Sequence, residues 1–400
     1  MRDVGVVMPV YNQEPSYLRT SLRSVLRQTY SDFTFVIVID GADDKTVRTV
    51  REETSGDPRV KLLFHQQNQG VSKALNTGFG YLMTQPRIRY LTWVSSDNVY
   101  YPPFLETLRA KLHEGPSRLG FVYSSFRNVN EKGDCIHTPN LRWYQEKPKE
   151  ELLDVCFVGT SFMYKKCYAE KIEGYHMEPV EDYEYWLRLM ELCEIDYIPE
   201  ELMDYRVNSA HSVSARLRNS IQQHRRWRYA FQLARHQARQ RRNIPFETTV
   251  IFPVHDRIPN KVDLMETLLE QYYGNYKLLV IDISSRTTWA PVLKYIEDPR
   301  AAILTMPGAT VESAVRRLLP NIGTPYVMIY GPRTAWPPLV VWDYLLKLVL
   351  YARWYIGEEF LSVRYSEVEK TILLKTSAEM EPVPGELYRI KSLLKVLKQN

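Results

Sequence analysis

Short, nearly continuous apolar runs alternate along the first hundred residues with stretches whose apolar positions recur every three or four residues. Val4–Val10 (Val-Gly-Val-Val-Met-Pro-Val) reads as a parallel strand buried on both faces. From Ser16 onward Leu18, Leu22, Val25 and Leu26 fall on one face of a helix. Thr34–Asp40 is a second strand, Gly41–Asp44 a turn, and Lys45–Thr54 a second helix. Val60–Phe64 is a third strand, and Asn68–Asn76 a loop that leads into a helix. Tyr90–Asn98 (Tyr-Leu-Thr-Trp-Val-Ser-Ser-Asp-Asn) reads as a buried strand that stops on a polar edge. Strand and helix alternate throughout, which predicts an α/β fold with a mostly parallel sheet.

The strand ends are more informative than the strands. They carry Asn12 with Glu14, Asp40 with Asp43 and Asp44, and Asp97 with Asn98. One such residue after a strand is usually a turn former or a helix cap. In a parallel sheet three successive ends share one edge, and that edge is where open α/β sheets bind ligands. Carboxylates there suit Mg²⁺ or Mn²⁺ held against a diphosphate.

Composition narrows the classes. The 400 residues are enough for two domains, and 44% hydrophobic with 25% charged residues is an ordinary globular balance. The four cysteines, Cys135, Cys156, Cys167 and Cys193, form no CxxC pair, which argues against a zinc site or a disulfide framework and for a reducing cytosol. No apolar run is long enough to span a bilayer, and a strand starting at Val4 is expected to leave no room for a signal peptide. A cytoplasmic protein is the expectation, with no nucleic-acid partner. The excess of +5 gathers in 216–242, rich in arginine, where Leu217, Ile221, Trp227, Phe231, Ala234 and Ala238 recur near helical spacing. This basic amphipathic helix reads as an interdomain connector, or as a contact with an anionic membrane on its inner face.

Further along, Leu119–Ser125 and Val155–Tyr164 read as strands around a long polar stretch, Asn128–Leu153, whose Trp143 and Tyr144 either stack on a sugar or pack the loop down. Glu181 and Asp182 open a helix with Trp186, Leu189 and Met190 on its apolar face. Acidic residues are favoured at a helix start by the dipole and need no further role.

Together these segments resemble family 2 glycosyltransferases of the GT-A fold. The resemblance is carried by Pro9-Val10-Tyr11-Asn12, Gln28-Thr29-Tyr30, Asp40-Gly41-Ala42-Asp43-Asp44, Asn68-Gln69-Gly70 and Ser95-Ser96-Asp97-Asn98, in that order and at the strand ends. It extends to Gly159-Thr160-Ser161-Phe162, to Glu181-Asp182 with Trp186, and to the segments around Arg206 and His211. The resemblance implies that Pro9, Val10, Tyr11, Glu14, Asp40, Asp43, Asn68, Gly70, Lys73, Ser96 and Asp97 bind the nucleotide of the donor, Asp40 through the base, with a geometry suited to uracil. Gly159, Thr160, Ser161, Glu181, Trp186 and Arg206 would sit around the donor sugar and acceptor. Asp97 and His211 would hold Mg²⁺ or Mn²⁺, and Asp182 would be the base. Ser95 departs from the family's Asp-x-Asp motif and lowers the expected metal affinity.

The pattern then begins again. Val250–Asp256 parallels Val6–Asn12, Leu268–Tyr273 parallels Val25–Tyr30, Asp282 falls over Asp40, and Tyr326–Pro338 parallels Tyr90–Pro103. The chemistry does not return, because Pro332 or Arg333 takes the place of Asp97. The expected organisation is a GT-A domain over 1–215, a helical connector over 216–246 and a degenerate GT-A-like domain over 247–400. The expected function is inverting transfer of a sugar from a nucleotide-diphosphate donor, a UDP-sugar by the resemblance, to a glycan or polymer acceptor. The alternative is a nucleotide-sugar-binding pseudoenzyme, and a homodimer is an expected form. A dehydrogenase is disfavoured because no GxGxxG follows the first strand.

Overall fold

The computed structural model describes the chain except residues 1, 137–140, 208–219, 332–342, 356–358, 367, 368, 370, 377–382 and 400, and the side chains of 141, 143, 398 and 399. It divides into two compact units, Met1–Ala234 and Arg235–Asn400.

Unit 1 runs β1 (Val4–Val10), α1 (Pro15–Leu26), β2 (Phe33–Asp40), α2 (Asp44–Thr54), β3 (Val60–His65), α3 (Val71–Met83), β4 (Tyr90–Trp93), β5 (Val99–Tyr100), α4 (Phe104–Glu114) and β6 (Leu119–Val129). It continues with α5 (Leu141–Gln145), β7 (Phe162–Lys165), α6 (Lys166–Ala169), α7 (Glu181–Leu189), β8 (Glu194–Arg206) and α8 (Ile221–Arg241), the last extending past Ala234. The sheet order is β3-β2-β1-β4-β7-β6-β8-β5. The first four strands are parallel, with Val7 opposite both Val36 and Trp93. The expected apolar runs are the core: Val4, Val6, Val7, Met8, Phe35, Ile37 and Ile39 are buried. Helix α1 starts on Pro15, whose missing N–H costs nothing at that position, and lays Leu18, Leu22 and Val25 on the sheet. Helix α2 is capped by Asp43, which accepts from Thr46 N at 2.8 Å.

Unit 2 runs β9 (Thr248–Val254), α9 (Lys261–Leu269), β10 (Tyr276–Asp282), α10 (Trp289–Lys294), β11 (Ala301–Thr305), α11 (Val311–Leu318), β12 (Tyr326–Ile329), α12 (Tyr344–Trp354), β13 (Ser362–Ser366), β14 (Thr371–Lys375), β15 (Leu387–Arg389) and α13 (Ile390–Gln399). Its sheet order is β11-β10-β9-β12-β15-β13-β14. The first six positions repeat unit 1 in order and direction: four parallel strands, then two antiparallel pairings.

Polar staples repeat with the strands. Arg59 lies on Phe33 at 4.6 Å, bonds Asp57 through Nε at 3.0 Å, and donates Nη2 to Leu26 O at 2.8 Å. Arg300 lies on Tyr276 at 4.5 Å, bonds Asp298 through Nε at 2.8 Å, and donates Nη2 to Leu269 O at 2.9 Å. Gln28 Oε1 accepts from Leu105 N at 2.9 Å, and Gln271 Oε1 from Leu345 N at 3.1 Å, each just inside the helix that follows the fourth strand.

Two expectations are corrected. Val155–Tyr164 is a strand only from Phe162. Before it, the carbonyls of Cys156 and Val158 take side-chain donors, Tyr144 Oη at 2.8 Å and Gln145 Nε2 at 3.2 Å, in place of ladder partners. The strand at Leu119 runs on to Val129, so the polar stretch begins later and contains α5 and a 3₁₀ turn at Lys149–Leu153. Within α8, Arg228, Arg235 and Arg239 are 2%, 3% and 3% exposed, while Arg226 and Arg241 are exposed. Phe231 of the same helix stacks on Tyr183 of α7 at 4.3 Å.

Candidate active site

The polar strand ends of unit 1 are tied to one another along one edge. Asn12, after β1, accepts from Asp43 N at 2.8 Å, which links the ends of β1 and β2. Gln13 donates to Ser96 Oγ at 3.2 Å, which links the ends of β1 and β4. Ser21 of α1 donates to Ser95 O at 2.8 Å. Tyr11 stands 49% exposed above this edge, whereas Val10 is buried in the core.

Asp40 closes the next junction. Its carboxylate accepts from Gln69 N and Gly70 N, each at 3.0 Å, and meets His65 Nδ1 at 2.6 Å, while His65 Nε2 meets Thr77 Oγ1 at 2.9 Å. Both oxygens therefore shape the loop before α3, and the residue is 3% exposed. Gly41 makes this approach feasible: a Cβ there would fall 2.3 Å from Asn68 N. His65 was not visible as a site residue in the sequence. Asn68 and Lys73 are exposed beside this loop.

Asp97 lies beyond the last ladder residue of β4. Its Oδ1 accepts from Ser95 Oγ at 2.5 Å, so the serine in the motif's first position contacts the carboxylate. Burial pushes the Asp97 carboxyl up, while the Ser95 bond and the Arg206 charge pull it down, leaving it above the usual range. Arg206 is 6% exposed and its guanidinium donates to the carbonyls of Asp97, Asn130 and Glu131 at 3.2, 2.9 and 2.7 Å. It also lies 4.1 Å from the Tyr17 ring. Arg206 thus joins three backbone segments around Asp97. His211 lies outside the described residues, as does the Trp143 side chain.

Glu181 and Asp182 form the first turn of α7, where the dipole favours acid. Glu181 Oε2 and Asp182 Oδ1 are nevertheless buried without a hydrogen-bond partner, as is the Trp186 indole nitrogen, and the Trp93 indole faces the Asp182 carboxyl. Burial, then the Glu181 charge, drives the Asp182 carboxyl well above the usual range, with the Trp93 indole opposing. Burial also raises Glu181, with the Glu178 charge adding to it. Phe162 packs against Trp93 at 6.1 Å and against Trp186 at 5.3 Å, bringing the end of β4 to α7. The buried Tyr100 hydroxyl feels the charges of both Asp97 and Asp182. Carboxyls held up by burial beside a specific charge partner make this turn a candidate site, and buried polar atoms lacking a partner suit hydroxyl groups.

Ser161 is sealed inside, its Oγ 2.5 Å from Ser124 Oγ, and Thr160 reaches Met203 Sδ at 3.5 Å. Gly159 lies against the Phe126 ring. Trp93 and Glu178 were missed in the sequence. The first sits two residues before the Ser95 motif, the second three before the acidic pair, so proximity to a motif was the available signal. Among the described residues no group of three or more His, Cys, Asp and Glu could cage a metal. No helix there is long and apolar enough to cross a membrane.

The family model described as glycosyl transferase family 2 matches residues 5–172. The O-antigen biosynthesis glycosyltransferase WbnJ of Escherichia coli is 30% identical over 213 residues, covering 52% of this chain and 80% of that protein. An uncharacterized glycosyltransferase of Rickettsia felis is 23% identical over 325 residues, covering 70% of this chain and 53% of its own length. The chain spans about half the length of three rickettsial relatives. Among solved structures, S. aureus TarS 1-349 in complex with UDP is 16% identical with a TM-score of 0.45, over 61% of this chain and 84% of that one. The mannosyltransferase PcManGT from Pyrobaculum calidifontis in complex with GDP-Man and Mn2+ is 17% identical with a TM-score of 0.42, over 61% and 65%. Unit 1 has the GT-A-like α/β fold, a second sheet domain follows it, and the chain belongs to glycosyltransferase family 2.

Proposed function

We propose that unit 1 transfers a sugar from a nucleoside-diphosphate donor, a UDP-sugar in the first instance, to a hydroxyl of a glycan or polymer, with inversion at the anomeric carbon. The observation that carries this reading is the acidic first turn of α7, where Asp182 Oδ1 is buried without a hydrogen-bond partner and Trp93 and Phe162 bring β4 alongside. Asp182 accepts the proton of the acceptor hydroxyl as that oxygen attacks the sugar on the face opposite the departing diphosphate. A raised carboxyl is a stronger base than an ordinary one, but it is ionised only at higher pH. The Trp186 indole N–H and the Glu181 carboxyl are placed to meet sugar or acceptor hydroxyls, and the Trp93 indole steadies Asp182. The loop of Asn68–Gly70, shaped by Asp40, receives the nucleoside beside Tyr11. Arg206 fixes the segments around Asp97 through their carbonyls, so its positive charge faces the leaving group only indirectly.

The residues present fit a divalent cation in one particular way. Mg²⁺ commonly takes one or two protein carboxylates and completes its shell with water and substrate phosphates. Asp97 supplies one such carboxylate, and Ser95 Oγ lies beside it. When bound, Mg²⁺ or Mn²⁺ would offset the charge that builds on the leaving diphosphate. Burial already holds the Asp97 carboxyl up, so a cation would stabilise its ionised form.

Calorimetry of UDP with wild type and Asp97→Ala, with and without Mn²⁺, tests the donor half of this reading. The expected result is UDP binding that Mn²⁺ strengthens and the substitution weakens. UDP binding without hydrolysis of any UDP-sugar would instead favour the binding-protein alternative, and no binding at all would end the transferase reading.

A further inference from the structure

The segment from Glu173 to Glu178, just before α7, is tied on both sides. On one side stands α3. Asn76 donates Nδ2 to Tyr175 O at 2.7 Å and accepts from Tyr175 N at 2.7 Å. Glu178 Oε1 accepts from Ser72 N at 2.9 Å, in the first turn of that helix. On the other side stands α7. Arg188 donates to the carbonyls of Glu173 and Gly174 at 2.5 and 2.8 Å and grips Glu184 with two bonds of 2.7 Å. His176 Nδ1 lies 2.9 Å from Glu184 Oε2. Gly70 allows the Glu178 carboxylate its close approach, because a Cβ at Gly70, whose φ is +93°, would fall 2.8 Å from Glu178 Oε1.

The N-terminus of α3 is thus already held by two carboxylates from distant parts of the chain, Asp40 on Gln69 and Gly70 and Glu178 on Ser72. Negative charge is favoured there by the helix dipole. One of the two belongs to the donor loop. The other stands three residues before Glu181 and four before Asp182.

We propose that Glu178 is a positioning residue that registers the Asp182 carboxylate against the donor loop at Asn68–Gly70. The proposal rests on the reading of unit 1 as a transferase. Glu178 touches no reacting atom. It fixes the start of α7 relative to the start of α3, so that a donor seated on one meets a base carried by the other. A displacement of about 1 Å between such groups can cost on the order of 10²-fold in rate.

The same carboxylate has an electrical effect on the acidic pair, since its charge adds to the burial that holds Glu181 up. The other groups facing the pair are the Tyr175 hydroxyl from the segment itself, the Trp93 indole from β4 and the Tyr100 hydroxyl from β5. Lys73 and His176 line the same cavity of about 490 Å³ as Glu178. Removing the Glu178 charge lets the first proton leave the Glu181–Asp182 pair at lower pH, and the two acids titrate as one coupled unit.

Two substitutions separate position from charge. Glu178→Gln keeps an acceptor for Ser72 N and deletes the charge, whereas Glu178→Ala deletes both. The full chain, labelled with ¹³C at Asp and Glu carboxyls, is titrated by NMR as wild type, E178Q, E178A and D182N, the last for assignment. UDP binding is measured by calorimetry and UDP-sugar hydrolysis by release of UDP. The first titration step of the pair moves to lower pH in E178Q and E178A. E178Q keeps wild-type UDP affinity and stays within a few-fold of wild-type kcat at a pH where the pair is ionised, while E178A loses roughly 10- to 100-fold in kcat. An unmoved titration step in E178Q overturns the proposal, and so does wild-type turnover in E178A. If the wild type itself binds no UDP, the transferase reading falls, and the titration still decides whether Glu178 is coupled to the pair.

Discussion

The two units set the same six strands in the same order and direction, and treat their polar edges in opposite ways. Asp40 ends β2 and reaches sideways to the loop before α3, leaving the space in front of the strand ends to Tyr11, Asp97 and the acidic turn of α7. Asp282 ends β10 and folds forward instead. It is fully buried and accepts from Ser284 N, Ser284 Oγ, Trp289 N and Ala290 N, at 3.0, 2.6, 2.9 and 2.7 Å. A shift of one residue in strand register accompanies this. Asp282 pairs with Val254, whereas Val10, the counterpart of Val254, pairs with Ile39. Such a shift turns a side chain to the other face of the sheet. Asn12 accepts a backbone N–H, while its counterpart Asp256 takes the Trp289 indole at 2.9 Å, with Lys261 3.9 Å from that ring and donating to Asp256 O. Trp93, whose indole faces Asp182, has Ile329 as its counterpart by register. The two units thus share their buried staples and bond the polar groups at their strand ends differently.

The largest effect is expected at Asp182. Asp182→Asn should lower turnover of a UDP-sugar by roughly 10²–10⁴-fold while UDP affinity stays within a small factor. A matching loss of UDP affinity would mean that Asp182 belongs to donor binding. The staples come next. Asp298 and Arg300 have side chains 0% and 1% exposed, against 20% and 19% for Asp57 and Arg59. Breaking a buried pair leaves an uncompensated charge, so Arg300→Ala should cost about 3–5 kcal/mol in chemical denaturation. Arg59→Ala should cost clearly less, since water reaches that pair. Equal losses would remove the idea that unit 2 relies on deeper burial.

A smaller effect separates the units by pH. Burial holds the Glu181 and Asp182 carboxyls above their unfolded values. The folded chain then binds more protons than the unfolded one between the two values. Its stability is greatest below the unfolded value and falls as pH rises through the folded one. Asp182→Asn should therefore raise the Tm of unit 1 near neutral pH and flatten its decline with pH, as read by calorimetric melting across pH 5–8, about the range where stability usually peaks. An unchanged or lower Tm would contradict the buried acid.

Much of unit 1 could be read from sequence because its strands are continuous apolar runs whose polar residues sit at the ends. Val4–Val10 and the edge at Asn12 and Asp97 needed only that pattern. Asp40 was legible as a polar strand end, but its partners His65, Gln69 and Gly70 come from elements brought together by folding. Glu178 lies in a segment with no periodicity, and its contact with Ser72 spans more than a hundred residues. The basic charge of α8 was legible, but which of its arginines are buried depends on packing. Val155–Thr160 has the composition of a strand, but its carbonyls at Cys156 and Val158 take side-chain donors in place of a neighbouring strand, which no local pattern reveals.

The central claim is that one of two similar edges carries the chemistry. Calorimetric titration of the whole chain with UDP in the presence of Mn²⁺ tests it most directly. The account predicts one UDP per chain, lost in Asp97→Ala and kept in Asp282→Asn. Two molecules of UDP per chain, or a single one lost only in Asp282→Asn, would contradict it.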